Sequence, residues 1–192
     1  MELPIALIIK LLWLCFGLYW LWGWRRVKGA QRSEPVLPRL LKYWLPLVVA
    51  VALIGPGDWF VGGWLGQRMY PPSLAIALIG TAAVALGIGF ACWARYVLGR
   101  NWSSVVQVKQ DHELIQRGPY AFVRHPIYTG LLLAFFGTAI AIGEWRGLVC
   151  VVIVFASFWF KLRLEERWMR ESFGPVYEAY MHRVKALIPG VL

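Results

Sequence analysis

The sequence predicts an all-α integral membrane fold of five transmembrane helices, the last two forming a helical hairpin. Three observations predict it. Hydrophobic residues fill 59% of 192 positions, and twelve of them are Trp. Several apolar runs approach the ~20 residues that a helix needs to cross a bilayer. Basic residues collect after alternate runs, the asymmetry of cytoplasmic loops. A backbone crosses lipid only as helices or a closed barrel, and these runs lack the alternation of barrel strands.

The first span is expected over 3–24, with Lys10 snorkelling from inside it. Arg25, Arg26 and Lys28 follow a long apolar run that Glu2 precedes, so a retained anchor is expected rather than a signal peptide. Residues 25–42 hold six basic side chains against Glu34, a cytoplasmic loop. The second span, about 43–54, stops at Gly55-Pro56-Gly57. Trp59, Phe60, Trp64 and Tyr70 then suit an interfacial aromatic belt. The third span, about 73–97, carries Gly80, Gly87 and Gly89, small residues that permit close helix contact. The fourth, about 126–142, turns back at Gly143 into the fifth, about 148–160. Five crossings with this bias put the N-terminus outside and the C-terminus in the cytoplasm. Polar clusters 99–125 and 161–185 then share the cytoplasmic side, and the hairpin brings them together. One membrane domain, 1–192, is expected, with three spans in 1–98 and the polar motifs in 99–192.

The net charge of +10 follows the loop pattern, so anionic lipid headgroups are the expected partner and nucleic acid is not. Cys15, Cys92 and Cys150 lie inside apolar runs and read as buried thiols. Asp111-His112-Glu113 fits no zinc spacing, and no metal site is expected. Nucleotide-binding glycine loops and a serine nucleophile elbow are missing from the sequence.

Chemistry concentrates in Gly118 to Tyr128, which sets an Arg, a His and two Tyr before an apolar helix. Titratable groups at a membrane helix end are costly, so they point to function. Pro126 suits the first helical position, His125 the N-cap, and Tyr128 the same helix end. That terminus is a seat for a carboxylate; a helix start with an interfacial Tyr and a headgroup-bound Arg fits the same spacing. Tyr120 either covers a bound ring or lies at the interface. Glu166 and Arg170 are spaced for a solvated helix pair, whereas Glu165 would face a cationic group if the helix end meets a pocket.

The order of the motifs adds to this. Asn101-Trp-Ser, His112-Glu-Leu-Ile, Gly118-Pro-Tyr, Arg124-His-Pro-x-Tyr128, a hydrophobic hairpin, Glu165-Glu166 and Phe173-Gly174-x-x-Tyr177-x-x-Tyr180 together resemble the isoprenylcysteine carboxyl methyltransferase family. The resemblance covers about residues 99–190; the N-terminal half matches in topology alone. The Arg-His-Pro-x-Tyr and Glu-Glu signature belongs to a broader group of membrane methyltransferases that includes phospholipid N-methyltransferases. The resemblance implies S-adenosylmethionine in a cytoplasmic pocket, S-adenosylhomocysteine as product, and a lipid-modified substrate entering laterally from the bilayer. Carried over by motif, Gln107, His112, Glu113, Leu114, Ile115, Tyr120, His125, Pro126, Ile127 and Tyr128 would line the donor site, and Glu165 would bind the donor as an acid. Where the family usually has an Arg that contacts substrate, this chain has Lys161, with Arg163 two residues on. An ammonium cannot form the bidentate fork of a guanidinium, so Lys161, Arg163 and Arg124 are all candidates to orient the acceptor. The reaction expected is carboxyl O-methylation. Methylation of a phospholipid or amine nitrogen, with Glu166 or His112 as base, is the alternative, and a non-catalytic lipid-binding protein is a further one.

Overall fold

The computed structural model describes residues 3–24, 30–33, 35–99, 107–109 and 114–192. Helix α1 is Leu3–Trp24, α2 Val36–Leu53, α3 Leu74–Leu98, α4 Pro126–Ile142, α5 Trp145–Phe173 and α6 Pro175–Arg183. Of these, α1, α2, α3 and α5 are long and apolar enough to cross a membrane; α4 is a shorter apolar helix. Among the described residues the one pair of strands is a small antiparallel ladder, β1 Ala30–Ser33 with β2 Gln107–Lys109, in stretches expected to be loop.

Helix α2 begins earlier than its apolar run suggests and contains a π turn over Leu40–Trp44. Pro46 lies just beyond it. A proline within a helix offers no N–H and crowds the carbonyl four residues back, here that of Lys42. Widening the helix relieves that crowding, and the Ser157 hydroxyl of α5 donates to the Lys42 carbonyl at 3.2 Å.

Helices α3 and α4 form the tightest pair. Their glycines face each other in matched positions two turns apart. A Cβ at Gly80 would stand 2.6 Å from the Gly137 carbonyl oxygen, and one at Gly130 2.5 Å from that of Gly87. Small residues let the two backbones approach, which is how apolar helices associate where lipid offers no hydrophobic drive. Gly89 faces away and has nothing within 4 Å. Helix α1 docks on this pair through Trp13, whose Nε1 donates to Thr138 Oγ1 at 3.1 Å and whose ring lies 4.8 Å from that of Phe135.

Gly143 ends α4 with a φ of +68°, and Glu144 starts α5. Buried Arg146 secures this end. It donates to the carbonyls of Leu53 and Gly55 at 2.9 and 2.8 Å and pairs with Glu144 at 2.6 Å, capping the C-terminus of α2 with a cation. At its other end α5 continues well past the apolar stretch, to Gly174 at φ +50°. The chain then reverses into α6, and the segment after it returns to the start of α4. Ala186 and fully buried Leu187 join Tyr128, Phe158 and Leu162 in the main core.

Candidate active site

His125 sits at the start of α4 because three local features fix it. A 3-10 turn over Gly118–Ala121 brings the chain in, with Gly118 at φ +60°. Val123 is fully buried and bridges Lys185 in parallel register. The N–H groups of Arg124 and His125 then donate to the carbonyls of Lys185 and Ala186 at 2.8 and 3.0 Å. Pro126 opens the helix, His125 is its N-cap residue, and no side chain caps the first turn. Its leading N–H groups remain the orphan donors of a helix start.

The imidazole lies between two carboxylates on α5. Its Nδ1 is 3.5 Å from Glu165 Oε2 and its Nε2 is 3.2 Å from Glu166 Oε1. Successive residues on a helix point about 100° apart, so this pair straddles the ring. Burial disfavours the imidazolium, but hydrogen bonds and charge from Glu165 and Glu166 outweigh it and raise the His125 pKa above its ordinary value. The two acids differ in access. Glu166 is 6% exposed and takes Arg124 Nε and Nη2 at 2.9 and 2.5 Å. Glu165 keeps 25% of its side chain exposed and accepts from the Tyr128 hydroxyl at 2.7 Å.

Aromatic rings carry the site. Tyr128 stacks on His125 at 5.6 Å and on Phe158 at 4.8 Å. Lys161 places its Nζ 5.5 Å over the Tyr128 ring. Tyr120 is buried with Ile115 and packs against Ile127. Burial first, then the charge of Glu165, pushes its hydroxyl pKa far up, so it stays protonated.

The structure therefore gathers Tyr120, His125, Pro126, Ile127, Tyr128, Lys161 and Glu165, with Ile115 at the edge beside half-buried Leu114. Arg124 is also here, but its contacts are internal: Glu166 and the carbonyls of Met181 and Val184. Arg163 is exposed and its guanidinium lies 5.9 Å from the Trp159 ring, on another face of α5 from Lys161. Gln107 belongs to β2. His112 and Glu113 lie outside the described residues. Glu166 does not make the solvated pair with Arg170 that spacing suggested. Arg170 instead donates to its backbone carbonyl at 3.3 Å. Sequence reasoning missed Thr129, whose hydroxyl donates to the Leu187 carbonyl at 2.7 Å, and the backbone of the C-terminal segment.

Comparison with known proteins gives the family. The profile described as phospholipid methyltransferase matches residues 75–176, which include His125, Glu165 and Glu166. The chain is 30% identical over 178 residues to the protein-S-isoprenylcysteine O-methyltransferase of Schizosaccharomyces pombe, covering 85% of this chain and 75% of that protein. It is 30% identical over 128 residues to the Saccharomyces cerevisiae protein of the same name, covering 64% of this chain and 54% of that one. A probable protein-S-isoprenylcysteine O-methyltransferase of Oryza sativa subsp. japonica is 29% identical over 117 residues, with 59% and 61% covered. The alignments thus span between about half and three quarters of these relatives. On the family match and the resemblance to these enzymes, the chain belongs to the phospholipid methyltransferase family, as a multi-pass membrane methyltransferase alongside the protein-S-isoprenylcysteine O-methyltransferases.

Proposed function

We propose that this enzyme transfers a methyl group from S-adenosylmethionine to the carboxylate of an isoprenylcysteine-like acceptor held in the bilayer, releasing S-adenosylhomocysteine. The observation that carries this reading is the bracketing of His125 by Glu165 and Glu166 at the start of α4. The donor set suits an amino-acid-bearing sulfonium ligand. Orphan N–H groups at a helix start attract a carboxylate. Glu165 is the acid with open surface, so it offsets an ammonium group, while Glu166 is spent on Arg124 and His125.

S-adenosylmethionine, when bound, supplies a methyl group already activated on sulfur. The residues of the chain supply alignment and exclusion of water. His125 and the first turn of α4 hold the carboxylate end, Tyr120 and Tyr128 wall the pocket, and Lys161 orients the acceptor. Lys161 is preferred over Arg163 because its Nζ lies over the Tyr128 ring, whereas Arg163 packs on Trp159. Arg124 acts through Glu166 rather than on the acceptor. A carboxylate acceptor is ionised at neutral pH and asks for no base, which fits a site whose second acid is committed internally. Positioning of this kind supplies ~7–11 kcal/mol of a barrier when reacting atoms are held ~3–3.5 Å apart.

In this reading α4 is the fourth of five crossings, α4 and α5 are the hairpin, and residues 99–192 form the catalytic half of a single domain. The N-terminus lies outside, the pocket faces the cytoplasm near anionic headgroups, and the acceptor enters from the lipid. The test is transfer of labelled methyl from S-adenosylmethionine to prenylcysteine analogues and lipid amines in parallel. A base-labile product on the prenylcysteine supports the reading, and a base-stable product on amines alone would replace it with N-methylation.

A further inference from the structure

The motif Phe173-Gly174-x-x-Tyr177-x-x-Tyr180 has no part in the chemistry just described, yet the fold delivers it to the site. Gly174, at φ +50°, lets the chain reverse between α5 and α6. Tyr177 and Tyr180 then share one face of α6, each 2% exposed, with rings 6.0 Å apart and edge-on. The Tyr180 hydroxyl donates to the Tyr120 backbone carbonyl at 2.5 Å across sixty residues of sequence. Beyond α6 the carbonyls of Val184, Lys185, Ala186 and Leu187 receive Arg124 Nη1, the Arg124 and His125 N–H groups, and the Thr129 hydroxyl.

We propose that Tyr180 is a positioning residue for the methyl donor, acting through the main chain of Tyr120, and that the C-terminal segment is the clamp that sets both Tyr120 and His125. The inference rests on the reading of Tyr120 as a donor contact. Its physical basis is direct. A 3-10 turn has few hydrogen bonds of its own, and those of Gly118–Ala121 are supplemented by the Tyr180 hydroxyl. Burial outweighs the opposing charges of Arg124 and Arg183 and pushes that hydroxyl up to about 12, so it is a donor at neutral pH. A turn released by loss of this bond leaves the Tyr120 ring free to shift relative to Glu165.

The test uses the full chain in detergent or nanodiscs, with each variant purified as the monodisperse fraction so that poor folding lowers yield and not the reading. Tyr180→Phe keeps the ring and removes the hydroxyl. The expected result is a donor KM and a donor dissociation constant raised roughly five- to tenfold, the loss of about one hydrogen bond. Acceptor KM and kcat should stay within about twofold. Arg183→Ala breaks an exposed tether of the same helix, the 2.9 Å bond to Gln116 Oε1, and should leave donor KM unchanged. An equal rise in both variants would mean general loosening of α6 and would overturn the proposal, as would an unchanged donor constant in Tyr180→Phe. Glu165→Gln separates the two levels. If it weakens donor binding while Tyr180→Phe does not, the clamp fails alone. If neither changes donor binding, the donor site itself is misassigned.

Discussion

Glu165 and Glu166 are adjacent in sequence but differ in exposure and partners, and under the proposed function substitution should separate them. Glu166 is 6% exposed and meets a guanidinium that is 8% exposed, together with His125. Removing one partner of a buried pair leaves an uncompensated charge and costs about 3–5 kcal/mol. Arg124 keeps the Val184 and Met181 carbonyls as acceptors, which places Glu166→Ala toward the lower end, about 3 kcal/mol. For a chain of this size that is a fall in Tm of roughly 6–12 °C. Glu165→Gln keeps an acceptor for both the Tyr128 hydroxyl and the His125 ring at a side chain already 25% exposed, so its stability cost is smaller than that of Glu166→Ala, yet donor affinity should drop. The assay is thermal unfolding in detergent by tryptophan fluorescence, paired with donor binding on the same samples. Equal Tm losses for the two variants, or a larger loss for Glu165→Gln, would refute the division of labour.

Three further outcomes follow from the same geometry. The folded pKa of His125 lies above its unfolded value, owing to Glu165 and Glu166 acting against burial. Its stabilisation is complete below the unfolded pKa near 6.5 and is lost as pH rises through the folded value; Tm measured from pH 6 to pH 9 should decline, and His125→Gln should flatten that decline. Gly130→Ala sets a Cβ 2.5 Å from the Gly87 carbonyl oxygen and should cost about 1–3 kcal/mol, whereas Gly89→Ala, with nothing within 4 Å, should be neutral by the same unfolding assay. Lys161→Ala should raise acceptor KM, Lys161→Arg should hold or increase activity, and Arg163→Ala should leave acceptor KM unchanged in steady-state kinetics.

Much of the fold was written in apolar length and punctuation. The bounds of α1 and α4 follow from the apolar runs, and Pro126 marks the helix start that makes His125 an N-cap residue. The apolar part of α5 is expected to end near residue 160, and the helical spacing read for Glu166 and Arg170 carries the helix beyond it, as the structure has it. Lys161 to Arg170 change the solvent the helix meets, not its backbone, and the helix runs on until Gly174 breaks it. Glycine spacing on α3 indicated close contact but not its partner; Gly80 and Gly87 meet α4 while Gly89 does not. The role of Glu166 was hidden for a similar reason. A partner four residues away is visible in sequence, but Arg124 lies 42 residues off and is reached only when α4 and α5 pack. The C-terminal clamp left least trace, since its acceptors are backbone carbonyls that any residue carries.

In the proposed function one methyl donor sits between the start of α4 and the open face of Glu165. Titration of S-adenosylhomocysteine into the native chain, His125→Ala and Glu165→Ala, each in nanodiscs, tests it most directly. Saturable binding to the native chain and at least roughly tenfold weaker binding to each variant, about 1.4 kcal/mol apiece, are expected. Native affinity in both variants would contradict that placement.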